Sequence, residues 1–465
     1  MTKQNIILMS DSYKYSHKFQ YPRDTKAISS YIESRGGAEE TVFFGLQAFI
    51  KEYLLDPITY KDIDEAEQII TAHGEPFYRE DWEIIVDEFG GYLPIEIEAV
   101  PEGTVMATSN IQLQVINTDK RFFWLTSFIE TALLRAIWYP STVATFSREM
   151  KKIIKKGLET SSCIPVDDQL NLKLHDFGAR GAASREAAML GGMGHLINFI
   201  GTDTVDALVG AKRYYNENCA GVSIPASEHS TMTSWGKDNE SEAYKNMLDV
   251  FGGEGKILAC VSDSYDIYNA VRNIWGNELK EQVKNSGGTL VIRPDSGDPT
   301  LVPIQVIEIL FEVFGFEENK KGYKVLPSYI RVIQGDGLNN DTLVELIDNL
   351  LERKISLDNI VFGMGGGLLQ KHNRDSLKYA MKASAILRGD DVWEPISKDP
   401  VHKGKRSKSG RLGLMTQCGI GTCGLRTVPK SVADLHGENI LQTIFRNGEL
   451  LIEENFDIIR QRAEV

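Results

Sequence analysis

Short apolar runs recur through the middle of the chain, and each stops at polar or glycine residues before a helical stretch begins. They are "LKLHDFGARG" (172–181), "LINFIGTDTV" (196–205), "GVSIPASEHS" (221–230), "KILACVSDSYD" (256–266), "TLVIRPDSGDP" (289–299), "YIRVIQGDG" (329–337) and "NIVFGMGGG" (359–367). Between them lie stretches such as "PIQVIEILFEVF" (303–314) and "DTLVELIDNLLERK" (341–354), with apolar residues at helical spacing. A strand followed by a helix every roughly 25 to 40 residues suits βα units. The runs are almost continuously apolar, as parallel strands covered on both faces require. Seven such units predict an α/β protein whose centre, residues 146–385, is an irregular (β/α) barrel. A doubly wound open sheet is the alternative. Both place ligands at the C-terminal ends of the strands.

The flanks read differently. Residues 1–145 mix helical stretches with "AISSYIES", "LPIEIEAVPEGTVM" and "IQLQVINT", and residues 386–465 are rich in Gly, Ser and Lys with short strands such as "NILQTIFRNGELLI". The two chain ends are expected to form one smaller α+β domain.

Composition changes this picture little. With 465 residues, 42% hydrophobic and 25% charged, the chain is ordinary globular material. No run of about 18 apolar residues predicts a membrane span, and the apolar stretch in "MTKQNIILMSDSYK" is too short for a signal peptide. A net charge of −14 argues against nonspecific nucleic-acid binding. One basic run, "KGKRSKSGR" (403–411), stands out and reads by itself as a solvated loop. The five cysteines, Cys163, Cys219, Cys260, Cys418 and Cys423, are scattered, and the closest pair has no second pair at zinc spacing. Reduced thiols in a cytoplasmic protein are expected.

The chemistry gathers at the strand ends. "FGMGGG" supplies close-approach glycines, Gly365 and Gly366 among them, before the expected helix "LLQKHNRDSLK". That arrangement suits a phosphate or ribose-phosphate cradle. Leu368 breaks the dinucleotide spacing, and no Gly-Lys-Ser/Thr follows. Arg374 just beyond can fork onto a phosphate. In "IRPDSGDP", Arg293 and Asp295 lie two apart on a strand and share a face. They suit either a ligand clamp or a structural ion pair. Asp263 and Asp266 in "SDSYD" are carboxylates for a magnesium held partly through water, though Asp266 also suits a helix start. Gly335 and Asp336 offer a close approach beside an acceptor for a ribose diol. Phe177 can stack on a planar ring, with Arg180 nearby. Asp203 can accept from an amide. His229, between Glu228 and Ser230, follows a strand. Together these residues imply a phosphorylated ribose and a planar base. No Ser-His-Asp, HExxH or kinase pattern is present.

These segments in order, with "SDSYK" (10–14), "LPIEIEAVPEG" (93–103), "WYPSTVAT" (138–145), "PASEHSTMTSWGKD" and "KRSKSGRL", resemble the nicotinamide phosphoribosyltransferases, a type II phosphoribosyltransferase family. The resemblance runs from about residue 5 to 462. It implies transfer of phosphoribose from phosphoribosyl pyrophosphate to nicotinamide in NAD salvage, by a homodimer with shared active sites and no nucleic-acid or membrane partner. It implies that Phe177 and Tyr13 of the partner subunit sandwich the base, and that Asp203 binds its carboxamide. Arg293 would contact the amide side and phosphates. Asp295, Gly335, Asp336, Gly365 and Gly366 would hold the ribose phosphate with Arg374, and Arg180 and His229 would lie by the pyrophosphate. Asp263 and Asp295 would stand near Mg2+. Arg35, Lys382, Lys398 and Lys405 would reach phosphates across the dimer. His229 matches the histidine that ATP, a co-substrate in this family, phosphorylates. One imidazole nitrogen would attack, and Glu228 or Asp263 would hold the other. Ala259, Met364 and Ala179 depart from the family pattern, where serine or tyrosine is frequent.

Overall fold

The computed structural model describes residues 4–401, 406–419 and 422–465. The chain divides into two compact units: Met1–Thr145 with Gly210–Glu217 and His372–Glu464, and Phe146–Val209 with Asn218–Lys371 and Val465.

The first unit is built on a seven-stranded antiparallel sheet drawn from both chain ends. Its order is Val392–Pro395, Ala380–Arg388, Thr25–Glu33, Ile111–Asn117, Ile95–Ala99, Gln442–Arg446 and Glu449–Leu450. Thr25–Glu33 is buried along nearly its whole length, which accounts for its run of Ile28, Tyr31 and Ile32. The expected junction at 385–386 falls inside Ala380–Arg388. The pairing of that strand with Thr25–Glu33 draws residues from His372 onward into this unit.

One expectation about cysteine is corrected here. Cys418 and Cys423 form a disulfide. They are direct cross-strand partners in the hairpin Leu412–Gly419/Thr422–Pro429, with Cα atoms 4.0 Å apart. Only hairpin register, which zinc-type spacing does not test, brings them together. Cys163, Cys219 and Cys260 are not disulfide-bonded.

The second unit is the barrel. Six parallel strands lie in the order Gly201–Thr202, Leu174–Asp176, Ile360–Met364, Ile330–Gln334, Thr289–Arg293 and Ile257–Val261. Its two edges are joined by the segment 222–227. Val222 N–H donates to the Ile200 carbonyl at 2.7 Å, and Thr202 N–H to the Val222 carbonyl at 3.1 Å. On the other side Ala259 N–H donates to the Pro225 carbonyl at 2.9 Å and Ser227 N–H to the Ala259 carbonyl at 3.0 Å. Seven strand positions therefore follow one another around a ring in chain order. A doubly wound sheet, which reverses direction at a switch point, does not do this.

Buried Ala259, Val291 and Ile333 form an apolar cluster against which Phe177, Ile224 and Val361 pack. Each large side chain enclosed this way is worth about 1.5–3 kcal/mol. The crossover helices Val302–Phe314 and Asn340–Glu352 begin where their sequences dictate. Pro303 stands in the first turn of one, and Asn339 caps the other by accepting from the Asp341 and Thr342 amides. No helix among the described residues is long and apolar enough to cross a membrane.

Candidate active site

The C-terminal ends of the barrel strands carry a linked polar chain. Arg293, at the end of Thr289–Arg293, grips Asp295: Nε lies 2.9 Å from Oδ1 and a terminal nitrogen 2.8 Å from Oδ2. The Asp295 amide donates to Asp263 Oδ2 at 3.1 Å, and the Ser296 hydroxyl donates to the same oxygen. Asp263 Oδ1 lies 2.9 Å from His229 Nε2. His229 opens the short helix His229–Thr233 and is half exposed, whereas the Asp263 side chain is buried. Because an ionised carboxylate only accepts, Nε2 is the nitrogen that donates to Asp263. Nδ1 faces Asp295 Oδ2 at 3.9 Å. Asp263, not Glu228, is thus the orienting partner; the Glu228 carboxylate accepts from Ser230 instead. Asp266 is no part of this chain. It caps Ile267–Asn269 by accepting from the Tyr268 and Asn269 amides.

The opposite side of the rim is built around Phe177. Its amide donates to the Met364 carbonyl at 2.9 Å. Its ring covers Gly363 so closely that a methyl there would fall 2.2 Å from Cε2, and a methyl on Gly335 would fall 3.1 Å from the same atom. The Arg293 guanidinium stands 5.9 Å from the ring centre. Asp203 lies beside Asp176, whose carbonyl accepts from the Asp203 amide at 2.9 Å. Asp176 itself is fully enclosed. Its Oδ1 accepts from the Gly178 amide at 2.8 Å, while Oδ2 has the Thr202 and Thr204 hydroxyls nearby but no hydrogen-bond partner. Burial, with the charge of Asp203, pushes its carboxyl up to about 6.

The glycine cradle differs from expectation. Helix after Gly365 lasts only one turn, Gly366–Leu369, rather than continuing through "LLQKHNRDSLK". Asn373 Oδ1 accepts from the Asp375 amide at 2.8 Å, and Ser376 Oγ accepts from the Asn373 amide at 3.0 Å. Such local turns compete with helix. Space above Gly365 is open, since a methyl would meet nothing nearer than 3.4 Å. Gln370 Nε2 donates to the Gly178 carbonyl at 2.7 Å, which ties the cradle to the turn Ala179–Gly181 bearing exposed Arg180. Asp336 is exposed, with its carbonyl accepting from Gln334 at 2.8 Å. Ala259 and Met364 are both buried in the barrel wall.

The remaining candidates belong to the other unit. Tyr13 is 55% exposed, with His17 packed edge-on at 4.9 Å. Arg35 pairs with Glu33 at 2.7 Å and Arg374 with Asp375 at 3.0 Å. Burial lowers the Lys382 ammonium, and the cations Arg35, Arg374 and Lys14 lower it further against the opposing pull of Glu130. Lys398 is exposed. Lys405 lies outside the described residues.

Sequence reasoning missed Ser296 and Ser223. Both are serines in turns or edges, which carry no spacing signal. For magnesium, no group of three or more His, Cys, Asp or Glu among the described residues makes a cage. Asp263 and Asp295 spend their oxygens on protein donors. They fit Mg2+ only as one or two carboxylates acting through water, the usual manner when a substrate's phosphates supply the other ligands.

A barrel mouth lined with an arginine–carboxylate chain, open glycines and an aromatic face defines an enzyme class that handles phosphorylated sugars. Comparison with known proteins sharpens this. The profile of the nicotinate phosphoribosyltransferase family matches residues 172–449, and that of the nicotinamide phosphoribosyltransferase N-terminal domain matches residues 5–97. A nicotinamide phosphoribosyltransferase of Xanthomonas campestris pv. campestris is 48% identical over 99% of this chain and 98% of its own length. One from Acinetobacter baylyi is 30% identical over 98% of this chain and 97% of its own. In fold, the chain is similar to the nicotinate-nucleotide pyrophosphorylase of Pyrococcus furiosus, with a TM-score of 0.63 and 17% identity over 100% of this chain and 96% of that one. Human nicotinic acid phosphoribosyltransferase gives 0.58 and 15% over 98% and 93%. The chain belongs to the nicotinate phosphoribosyltransferase family.

Proposed function

We propose that this chain transfers the 5-phosphoribosyl group of phosphoribosyl pyrophosphate to nicotinamide, giving nicotinamide mononucleotide and pyrophosphate, with ATP hydrolysis coupled through a phosphohistidine. The observation that carries the reading is one barrel mouth holding Asp203, Phe177, Arg293 and the His229–Asp263 pair in a chain 48% identical, over nearly its whole length, to a protein of that name.

The chemistry asks little acid–base work of the protein. The pyridine nitrogen has a free lone pair, so it attacks the anomeric carbon directly as the bond to pyrophosphate breaks and the electron pair leaves with that group. An oxocarbenium-like transition state follows by analogy with glycosyl transfer. Phe177 stacks on the base, Tyr13 of the partner subunit covers its other face, and Asp203 accepts from the carboxamide. Arg293 and Arg180 face the developing negative charge. Asp295, Gly335, Asp336, Gly365, Gly366 and Arg374 receive the ribose and its phosphate. Across a homodimer, Arg35, Lys382 and Lys398 reach phosphates. Asp263 and Asp295 would hold Mg2+ through water, and the ion would supply charge neutralisation for the diphosphate.

His229 Nδ1 is the nucleophile toward ATP. A bond forms from Nδ1 to the γ-phosphorus, the bond to the β,γ-bridging oxygen breaks, and ADP departs. Asp263 holds the Nε2 proton throughout. Water then releases phosphate from the histidine.

Initial rates with phosphoribosyl pyrophosphate, Mg2+ and either base test the reading. Nicotinamide should be used much faster than nicotinate, and equal or faster use of nicotinate would sink the substrate assignment. His229→Ala should lose ATP hydrolysis while retaining weakened mononucleotide synthesis; undiminished hydrolysis would remove the phosphohistidine.

A further inference from the structure

Asp203 is the residue on which base choice rests in this reading, and its carboxylate has one protein partner among the described residues. Ser223 Oγ donates to Asp203 Oδ1 at 2.5 Å. The two backbones are independently fixed. Asp203 N–H is bound to the Asp176 carbonyl, and the Val205 amide donates to the Asp203 carbonyl at 3.1 Å. Ser223 lies in the segment that closes the barrel, one residue beyond the Val222 hydrogen bonds to Ile200 and Thr202. Its other neighbour, Ile224, packs on the apolar cluster inside the barrel. The close approach depends on Gly221, where a methyl would stand 2.8 Å from Thr202 Cγ2 and 2.9 Å from Leu196 Cδ2.

We propose that Ser223 is a positioning residue that sets the base preference of the site: it pins one oxygen of Asp203 and leaves the other to accept from a carboxamide N–H. The inference rests on the functional reading above. A carboxylate at a barrel mouth is otherwise free to swing about its side-chain bonds. Pinned, it presents an acceptor to a primary amide and a negative charge to a competing carboxylate, so it favours the first and repels the second. Unpinned, it can turn away from either, and discrimination shrinks from both directions. Acting through Asp203, Ser223 should show its effect in binding and in selectivity and not in the chemical step.

The test is steady-state kinetics of full-length wild type, Ser223→Ala and Ser223→Thr with nicotinamide and with nicotinate, at saturating phosphoribosyl pyrophosphate and Mg2+, together with thermal unfolding. Ser223→Ala should raise KM for nicotinamide about tenfold with kcat within about twofold, the size of one lost hydrogen bond to a charged group. The nicotinamide-to-nicotinate ratio of kcat/KM should fall in step. Ser223→Thr keeps the hydroxyl and should restore KM to within about twofold of wild type. An unchanged KM in Ser223→Ala overturns the proposal. So does failure of threonine to rescue, or a KM change that follows a matching loss of thermal stability in both variants, which would mark a structural role. If the wild type prefers nicotinate or makes no mononucleotide, the functional reading fails and takes this inference with it. A wild type that prefers nicotinamide, with an indifferent Ser223→Ala, removes this inference alone.

Discussion

Lys173 and Asp176 bracket the first barrel strand, three residues apart, and both are enclosed. At the N-terminal end the Lys173 ammonium donates to the Leu357 carbonyl at 2.7 Å and the Ile360 carbonyl at 3.0 Å. Arg331 beside it donates to the carbonyls of Pro327 and Ile330, both at 2.7 Å. At the C-terminal end Asp176 has one oxygen on the Gly178 amide and one without a partner. Asp203 stands beside it, and elsewhere on the same rim Arg293, Asp295, Asp263 and half-exposed His229 form a linked polar chain. The bottom satisfies its charges with backbone carbonyls. The mouth satisfies its charges with one another and keeps open faces. That difference is why charge at the bottom of such a barrel reads as stability and charge at the top as function.

Substitutions at the two ends should therefore fail in different ways. The largest effect is expected at the mouth. Arg293→Ala should lower kcat/KM by about 10²–10³, in line with loss of a donor to developing charge, while the melting temperature moves by only a few degrees. A loss below tenfold in steady-state assays would break the assignment. Lys173→Met should do the reverse. It strips the Leu357 and Ile360 carbonyls of their donor, so urea unfolding should report a loss of about 2–3 kcal/mol, with KM unaltered. An altered KM would erase the distinction between the ends.

A smaller effect separates two glycines on the same strand end. Gly363→Ala cannot be accommodated without moving Phe177, because the new methyl would be 2.2 Å from the ring, and should cost about 1–3 kcal/mol of stability. Gly365→Ala meets nothing nearer than 3.4 Å, so the free protein should keep its stability while KM for phosphoribosyl pyrophosphate rises. Parallel unfolding and kinetic measurements on both variants check this, and a destabilised Gly365→Ala would argue against an open cradle.

A last contrast between the two ends concerns titration. Burial raises the Asp176 carboxyl from an ordinary 3.8 to about 6, so its stabilising contribution is complete below about 3.8 and is lost as pH rises through about 6. Burial lowers Lys173 from 10.5 to about 7, so its contribution is present above about 10.5 and is lost as pH falls through about 7. The two ends thus bend the stability–pH curve in opposite senses. Asp176→Asn should remove the fall between pH 4 and 6, a slope of up to about 1.4 kcal/mol per unit. Unfolding midpoints with the same pH dependence in both proteins would contradict it.

Much of this was legible in order. Apolar runs ending in Asp176, Asp203, Asp263, Arg293 and Gly335 marked the strand ends, because parallel strands need apolar residues on both faces and barrels leave their chemistry at one end. The helix expected after Gly367 was misread, since Asn373 and Ser376 make turns that compete with it. The pairing of Cys418 with Cys423 was missed because compartment and zinc spacing were weighed, not hairpin register.

The sequence alone determined the βα alternation, the set of chemically able residues and the family to which they point, since periodicity and residue type are local properties. Tertiary structure decided the rest: that the segment 222–227 closes the ring, that Asp263 rather than Glu228 holds His229, that Arg293 and Asp295 are partners, and that Ser223 meets Asp203. Each of these depends on which strands lie side by side. Hydrogen bonds form between neighbours in space, and a linear pattern of apolar and polar residues does not say which strand ends will be neighbours.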